Sequence, residues 1–128
     1  MSNDIRTIGH LEGMMREVRD VNTANGWYEG YRTFGEGIAL LHSEVSEMLE
    51  AFRDHGLEDA TAVYVGHAAE YPEGLPPLKP EGVGSEAADV LIRLLDECDR
   101  AGIDLQAEYD RKIAYNRTRG YKHGGKGI

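Results

Sequence analysis

The stretch Phe34–His55, FGEGIALLHSEVSEMLEAFRDH, decides the fold class. Ile38, Leu41, Val45, Met48, Leu49 and Phe52 recur along it at three- and four-residue steps, and no proline interrupts it. That is the period of an α-helix, not the alternation of a strand. The same spacing fills about Ile5–Val21, through Ile8, Leu11, Met14, Met15 and Val18, and about Glu86–Arg100. Ser85 is the predicted N-cap of that third helix and Gly102 its stop. Asp104 is the predicted cap of a fourth helix running to about Arg119. Asn25-Gly26, Gly30 and Gly56 punctuate the chain between these segments. No segment alternates cleanly, and only Tyr64-Val65 is expected to be briefly extended. The expectation is an all-α protein of four helices arranged like a bundle.

Between the second and third helices lies 56–84, which holds all four prolines, Pro72, Pro76, Pro77 and Pro80, among glycines. So long a connection is a functional loop, a disordered one, or the carrier of a short helix near Glu58–His67. Residues 120–128 read as a flexible basic tail. With 128 residues, 41% of them hydrophobic, the chain is expected to form one domain over 1–128.

A net charge of −9, from 23 acidic and 14 basic residues, argues against a nucleic-acid polymer as partner. The single cysteine, Cys98, excludes an intramolecular disulfide and a thiolate cluster, and it falls on an apolar arc as a small core residue would. His42, His55 and His67 lack ligand spacing. No run approaches the ~20 apolar residues that span a bilayer. Met1–Arg6 shows no basic start leading into an apolar run, so a cytoplasmic location and no membrane partner are expected.

The acidic residues carry the chemistry. On a helical wheel with Glu44 at zero, Leu40 falls at about −40°, Ala51 at about −20°, Met48 at about +40° and Leu41 at about +60°. Glu44 therefore lies within the apolar arc, and Glu47 at its edge near about −60°. A carboxylate aimed at a core is costly unless it is paired or binds a cation. The third helix carries a second pair at the same spacing, Glu86 and Asp89, within a polar wedge that also holds Arg93, Asp96 and Arg100. If the two helices face each other, four carboxylates converge. Such a group either raises some pKa values or holds a cation. Oxygen-only ligands favour Mg²⁺, Mn²⁺ or Ca²⁺ over zinc. Two structural readings compete with this one: Glu44 meets an arginine in an internal ion pair, and Asp89 pairs with Arg93 one turn on.

The fourth helix places Lys112, Asn116 and Arg119 within an arc of about 60°. Lys122, His123 and Lys126 follow it among glycines. A nucleoside triphosphate with its Mg²⁺ would join an acidic and a basic end, while basic residues at a helix C-terminus also simply complement the helix dipole. Gly120-x-x-x-x-Gly125-Lys126 is not a phosphate-binding P-loop, because it follows a helix and lacks the next Ser or Thr.

Taken in order, Glu44-x-x-Glu47, Glu86-x-x-Asp89, Lys112-x-x-x-Asn116-x-x-Arg119 and the Lys122-His123-Gly-Gly-Lys126 tail resemble the MazG-like nucleoside triphosphate pyrophosphohydrolases, in their short single-domain bacterial and phage form. The resemblance runs from Asn25-Gly-Trp-Tyr to the tail, and departs from the family in the length of the 47–86 gap. It implies an all-α enzyme that hydrolyses a nucleoside or deoxynucleoside triphosphate, with (d)GTP as the guess, between the α- and β-phosphates. Glu44, Glu47, Glu86 and Asp89 would hold Mg²⁺, with Mn²⁺ as substitute, and Glu47 would help take a proton from water. Lys112, Asn116, Arg119 and Lys122 would bind phosphates, His123 would close over them, and Tyr115 would pack on the sugar or a neighbouring subunit. Trp27 either stacks on the base or anchors a core. The wide apolar arc of the third helix predicts a homodimer or homotetramer. A nucleotide-binding module without turnover is the alternative function, and a purely structural helical protein a third.

Overall fold

The computed structural model describes residues 9–28, 30–57, 63–64 and 79–121. Its regular elements are four helices, α1 (His10–Ala24), α2 (Phe34–His55), α3 (Val83–Arg100) and α4 (Leu105–Thr118), and two short strands, β1 (Val63–Tyr64) and β2 (Pro80–Glu81). The strands pair antiparallel, Val63 opposite Glu81 and Tyr64 opposite Pro80. The all-helical expectation holds in that the helices carry the fold. The described residues divide between two compact units, one comprising Met1–Gly30 with Cys98–Ile128, the other Tyr31–Glu97.

In the first unit, α1 and α4 are joined by a cap supplied from a distance. Gly9 offers no side chain to the N-terminus of α1. Gln106 of α4 fills that role, its Oε1 accepting from the Leu11 amide at 2.8 Å. A Cβ at Gly9 would collide with the Gln106 side chain, so the missing side chain is what admits the cap. Arg19 of α1 donates to both carboxylate oxygens of Asp99, which pushes the Arg19 pKa up through that hydrogen bond and the charge beside it. Asp104 caps α4 as expected, accepting from the Ala107 amide at 3.1 Å, and Gly102 turns the chain with a φ of 72° that favours glycine. Cys98 is buried, as a core residue.

In the second unit, α2 begins with a reciprocal cap. The Thr33 hydroxyl accepts from the Glu36 amide, and the Glu36 carboxylate accepts from the Thr33 amide. The helix ends at Gly56, as its spacing predicts. Gly37 on α2 lies against Glu97 of α3, and Glu44, two turns further along α2, lies against Arg93, one turn back on α3. The two helices therefore run antiparallel.

Three boundaries differ from expectation. Within the described residues α1 begins at His10 and runs to Ala24, past Val21, because nothing in Asn22-Thr-Ala breaks a helix before Gly26 turns left-handed. The third helix starts at Val83, not Glu86: the chain turns at Gly82, with φ 103°, and the Gly82 carbonyl already accepts from the Glu86 amide. Ser85 is accordingly inside the first turn and not its cap, and its hydroxyl donates back to the Pro80 carbonyl at 3.2 Å. In the 56–84 connection, Val63–Tyr64 are extended where a short helix over Glu58–His67 was one reading; the extended pair falls one residue before the Tyr64-Val65 expected from sequence. Most of that connection and residues 122–128 of the tail lie outside the described residues.

Candidate metal centre

Glu44 of α2 and Glu86 and Asp89 of α3 each offer a carboxylate oxygen, and these three oxygens lie within 4.8 Å of one another. The local reason is helical geometry. Spacing of three residues puts Glu86 and Asp89 on the same side of α3, and Glu44 projects from the α2 face that meets it. Glu44 is only 18% exposed in its side chain, in keeping with its place on the wheel. Glu47, one turn on, is exposed and in hydrogen-bonding contact with Glu44.

The electrostatics are those of crowded acids. The Glu47 carboxyl is held above the usual carboxylate range, first by its hydrogen bond to Glu44, then by repulsion from Glu44 and Asp89. Burial pushes the Glu86 carboxyl up, and the charges of Asp89, Glu47 and Glu44 push it further. Among the described residues, Arg93 opposes them. Arg93 Nη2 donates to Glu44 Oε1 at 3.2 Å. Of the two structural readings, the arginine partner for Glu44 is therefore present. It neutralises one charge of four, and the carboxylate oxygens of Glu44, Glu86 and the exposed Asp89 are of the kind that could hold a hard divalent cation.

The residues proposed for phosphate and base sit in the other compact unit. Lys112 and Asn116 are exposed on α4, and Arg119 follows it as the C-cap. The Arg119 guanidinium stacks over the exposed Tyr115 ring, 5.7 Å from its centroid. Trp27 is 60% exposed, so the core-anchor reading fails; its carbonyl accepts from Arg100 Nη2 at 3.1 Å. Lys122 and His123 lie outside the described residues. A cleft of about 310 Å³ in this unit lies between α1 and the start of α4, and the arginines that line it are already paired, Arg16 with Glu12 and Arg19 with Asp99.

The sequence reading missed a second charged group on the α2–α3 face. Arg32, just before α2, donates to Glu97 and lies 3.5 Å from Asp96. Glu97 is 2% exposed and Asp96 3%. Its sequence signal is Gly37, a glycine inside a helix that has no local use for one.

No family model matches the chain, and neither a curated protein nor a solved structure matches it.

Proposed function

We propose that the protein is a Mg²⁺-dependent nucleoside triphosphate pyrophosphohydrolase of the MazG-like kind, cleaving a nucleoside or deoxynucleoside triphosphate between the α- and β-phosphates to a monophosphate and pyrophosphate. The observation that carries this reading is the convergence of Glu44, Glu86 and Asp89 within 4.8 Å on two helices, in the order of the motifs that resemble that family. Glu44, Glu86 and Asp89 would hold the ion, with Glu47 at its margin; Mn²⁺ would substitute for Mg²⁺. A divalent ion there supplies charge neutralisation to phosphate oxygens. The chain's own groups do the rest. Glu47, exposed and in hydrogen-bonding contact with Glu44, would be the base that takes a proton from the attacking water. In this proposal Lys112, Asn116 and Arg119 would bind phosphate oxygens, with Lys122 and His123, which lie outside the described residues, as further candidates, and Tyr115 and Trp27 would offer faces to sugar and base. Among bases, (d)GTP is the first to test.

The same proposal places the enzyme in the cytoplasm and makes it a homodimer or homotetramer. No described helix is long and apolar enough to cross a membrane. Phe34, Val45, Leu49 and Phe52 of α2 and Leu91 and Ile92 of α3 are exposed, which supports cover by another subunit.

The test is a panel of nucleoside and deoxynucleoside triphosphates incubated with the protein and Mg²⁺, read by pyrophosphate release. Release that disappears in Glu44→Gln supports the proposal. Binding without release points to the nucleotide-binding module instead, and neither binding nor release to a structural role.

A further inference from the structure

We infer that Arg32 and Glu97, seated on Gly37, are positioning residues: they fix the axial register of α2 on α3 and thereby bring the Glu44, Glu86 and Asp89 oxygens together. The inference rests on the metal reading of that cluster and adds to it the device that assembles it.

Three observations carry it. First, Glu97 is buried and bonded to Arg32, beside the equally buried Asp96. A buried ion pair is poor evidence for stability, and fixing register is its best-attested use.

Second, a Cβ at Gly37 would overlap the Glu97 carboxylate. Glycine costs about 1 kcal/mol against alanine inside a helix, and here it admits a side chain from α3. The positions one turn away on that side, Thr33, Phe34, Leu40 and Leu41, all carry side chains, and Gly35 projects elsewhere. Glu97 therefore has one seat on α2.

Third, the tolerance is narrow. A slip of one helical turn moves α2 by about 5.4 Å along α3. The cluster spans 4.8 Å or less, so such a slip disperses it. Gly37 and Glu44 are separated by two turns on the same face of α2, and Glu97 and Asp89 by a little over two turns on α3. Seating the first pair aligns the second.

The experiment is a double-mutant cycle on the full chain, read by Mn²⁺ titration with the electron paramagnetic resonance of the free ion, and by circular dichroism for helix content and melting. Gly37→Ala introduces the colliding methyl group. Glu97→Asp shortens the acid by one methylene and loosens its hold on Arg32. Each single variant is expected to weaken Mn²⁺ binding about tenfold, the usual cost of losing a residue that orients metal ligands. Their combination makes room for the methyl group and is expected to return to within about threefold of wild type. A role in packing alone would move the melting temperature and leave Mn²⁺ binding unchanged. Single variants that bind Mn²⁺ like wild type, or a double variant weaker than either single, overturn the inference. If Gly37→Ala does not fold, recovery of folding and of Mn²⁺ binding in the double variant supports it, and a double variant that also fails overturns it. A wild-type chain that binds no Mn²⁺ overturns the metal reading itself, and that result is distinct from all of the others.

Discussion

The two ends of the α2–α3 face treat negative charge in opposite ways. At the Gly37 end, Asp96 and Glu97 are buried and Arg32 lies between them. At the other, Glu44, Glu47, Glu86 and Asp89 share one cation among the described residues, Arg93, and two of the four carboxyls hold their protons above the ordinary range. The first end has its counter-charge built into the chain. The second, among the described residues, has more acids than cations. Under the proposed function, a divalent cation from outside would supply the counter-charge at the second end.

The largest effect that sharpens this contrast concerns turnover. Glu44→Gln is expected to lower pyrophosphate release by more than about a thousandfold while the circular dichroism spectrum stays that of wild type. Turnover at the wild-type rate would show that the crowded end is not the reacting one.

Next in size is the loss of the internal counter-charge. Arg32→Met leaves Glu97 buried with no partner and is expected to cost about 3 kcal/mol in urea unfolding. The matching change at the crowded end, Glu86→Gln, removes a repelling charge and is expected to raise the melting temperature of the metal-free protein at neutral pH. If both substitutions destabilise alike, the two ends do not differ as described.

The pH dependence follows from the raised carboxyls. Glu47 and Glu86 bind protons more tightly in the folded chain than in the unfolded one. Their contribution to stability is complete below the ordinary carboxylate range and is lost as pH rises through their folded values. Mg²⁺ competes with those protons, so the rise in melting temperature that Mg²⁺ produces should be larger at pH 7.5 than at pH 5. Differential scanning calorimetry with and without Mg²⁺ at the two pH values checks this, and an equal rise at both would break the link between the crowding and the ion.

How much of this was legible beforehand depends on the range of the interaction. The helices were readable because periodicity and caps are local: Gly56, Gly102 and Asp104 act on their own neighbours. Glu44 was readable because a carboxylate inside an apolar arc is anomalous on one helix alone. The start of α3 was not, since Ser85 resembles a cap until the left-handed Gly82 is known to begin the helix earlier. The Arg32–Glu97 pair and the Gln106 cap on α1 were invisible for a deeper reason. Each joins residues 65 and 95 positions apart, and no spacing rule reaches so far. Gly37 and Gly9 were their only traces, as glycines that make room for another element.

The smallest effect expected belongs to the caps, which stand apart from both ends. Thr33→Ala removes the hydroxyl that accepts from the Glu36 amide and should cost about 1 kcal/mol, with Mg²⁺ affinity unchanged. A large fall in Mg²⁺ affinity there would mean that the start of α2, and not the Arg32–Glu97 pair, governs the site.

The most direct measurement is a crystal grown with Mn²⁺ and examined at a wavelength where manganese scatters anomalously. The account predicts an anomalous peak between Glu44, Glu86 and Asp89, with carboxylate oxygens in its coordination shell. A structure in which those carboxylates meet arginines or solvent, with the peak elsewhere or missing, would contradict it.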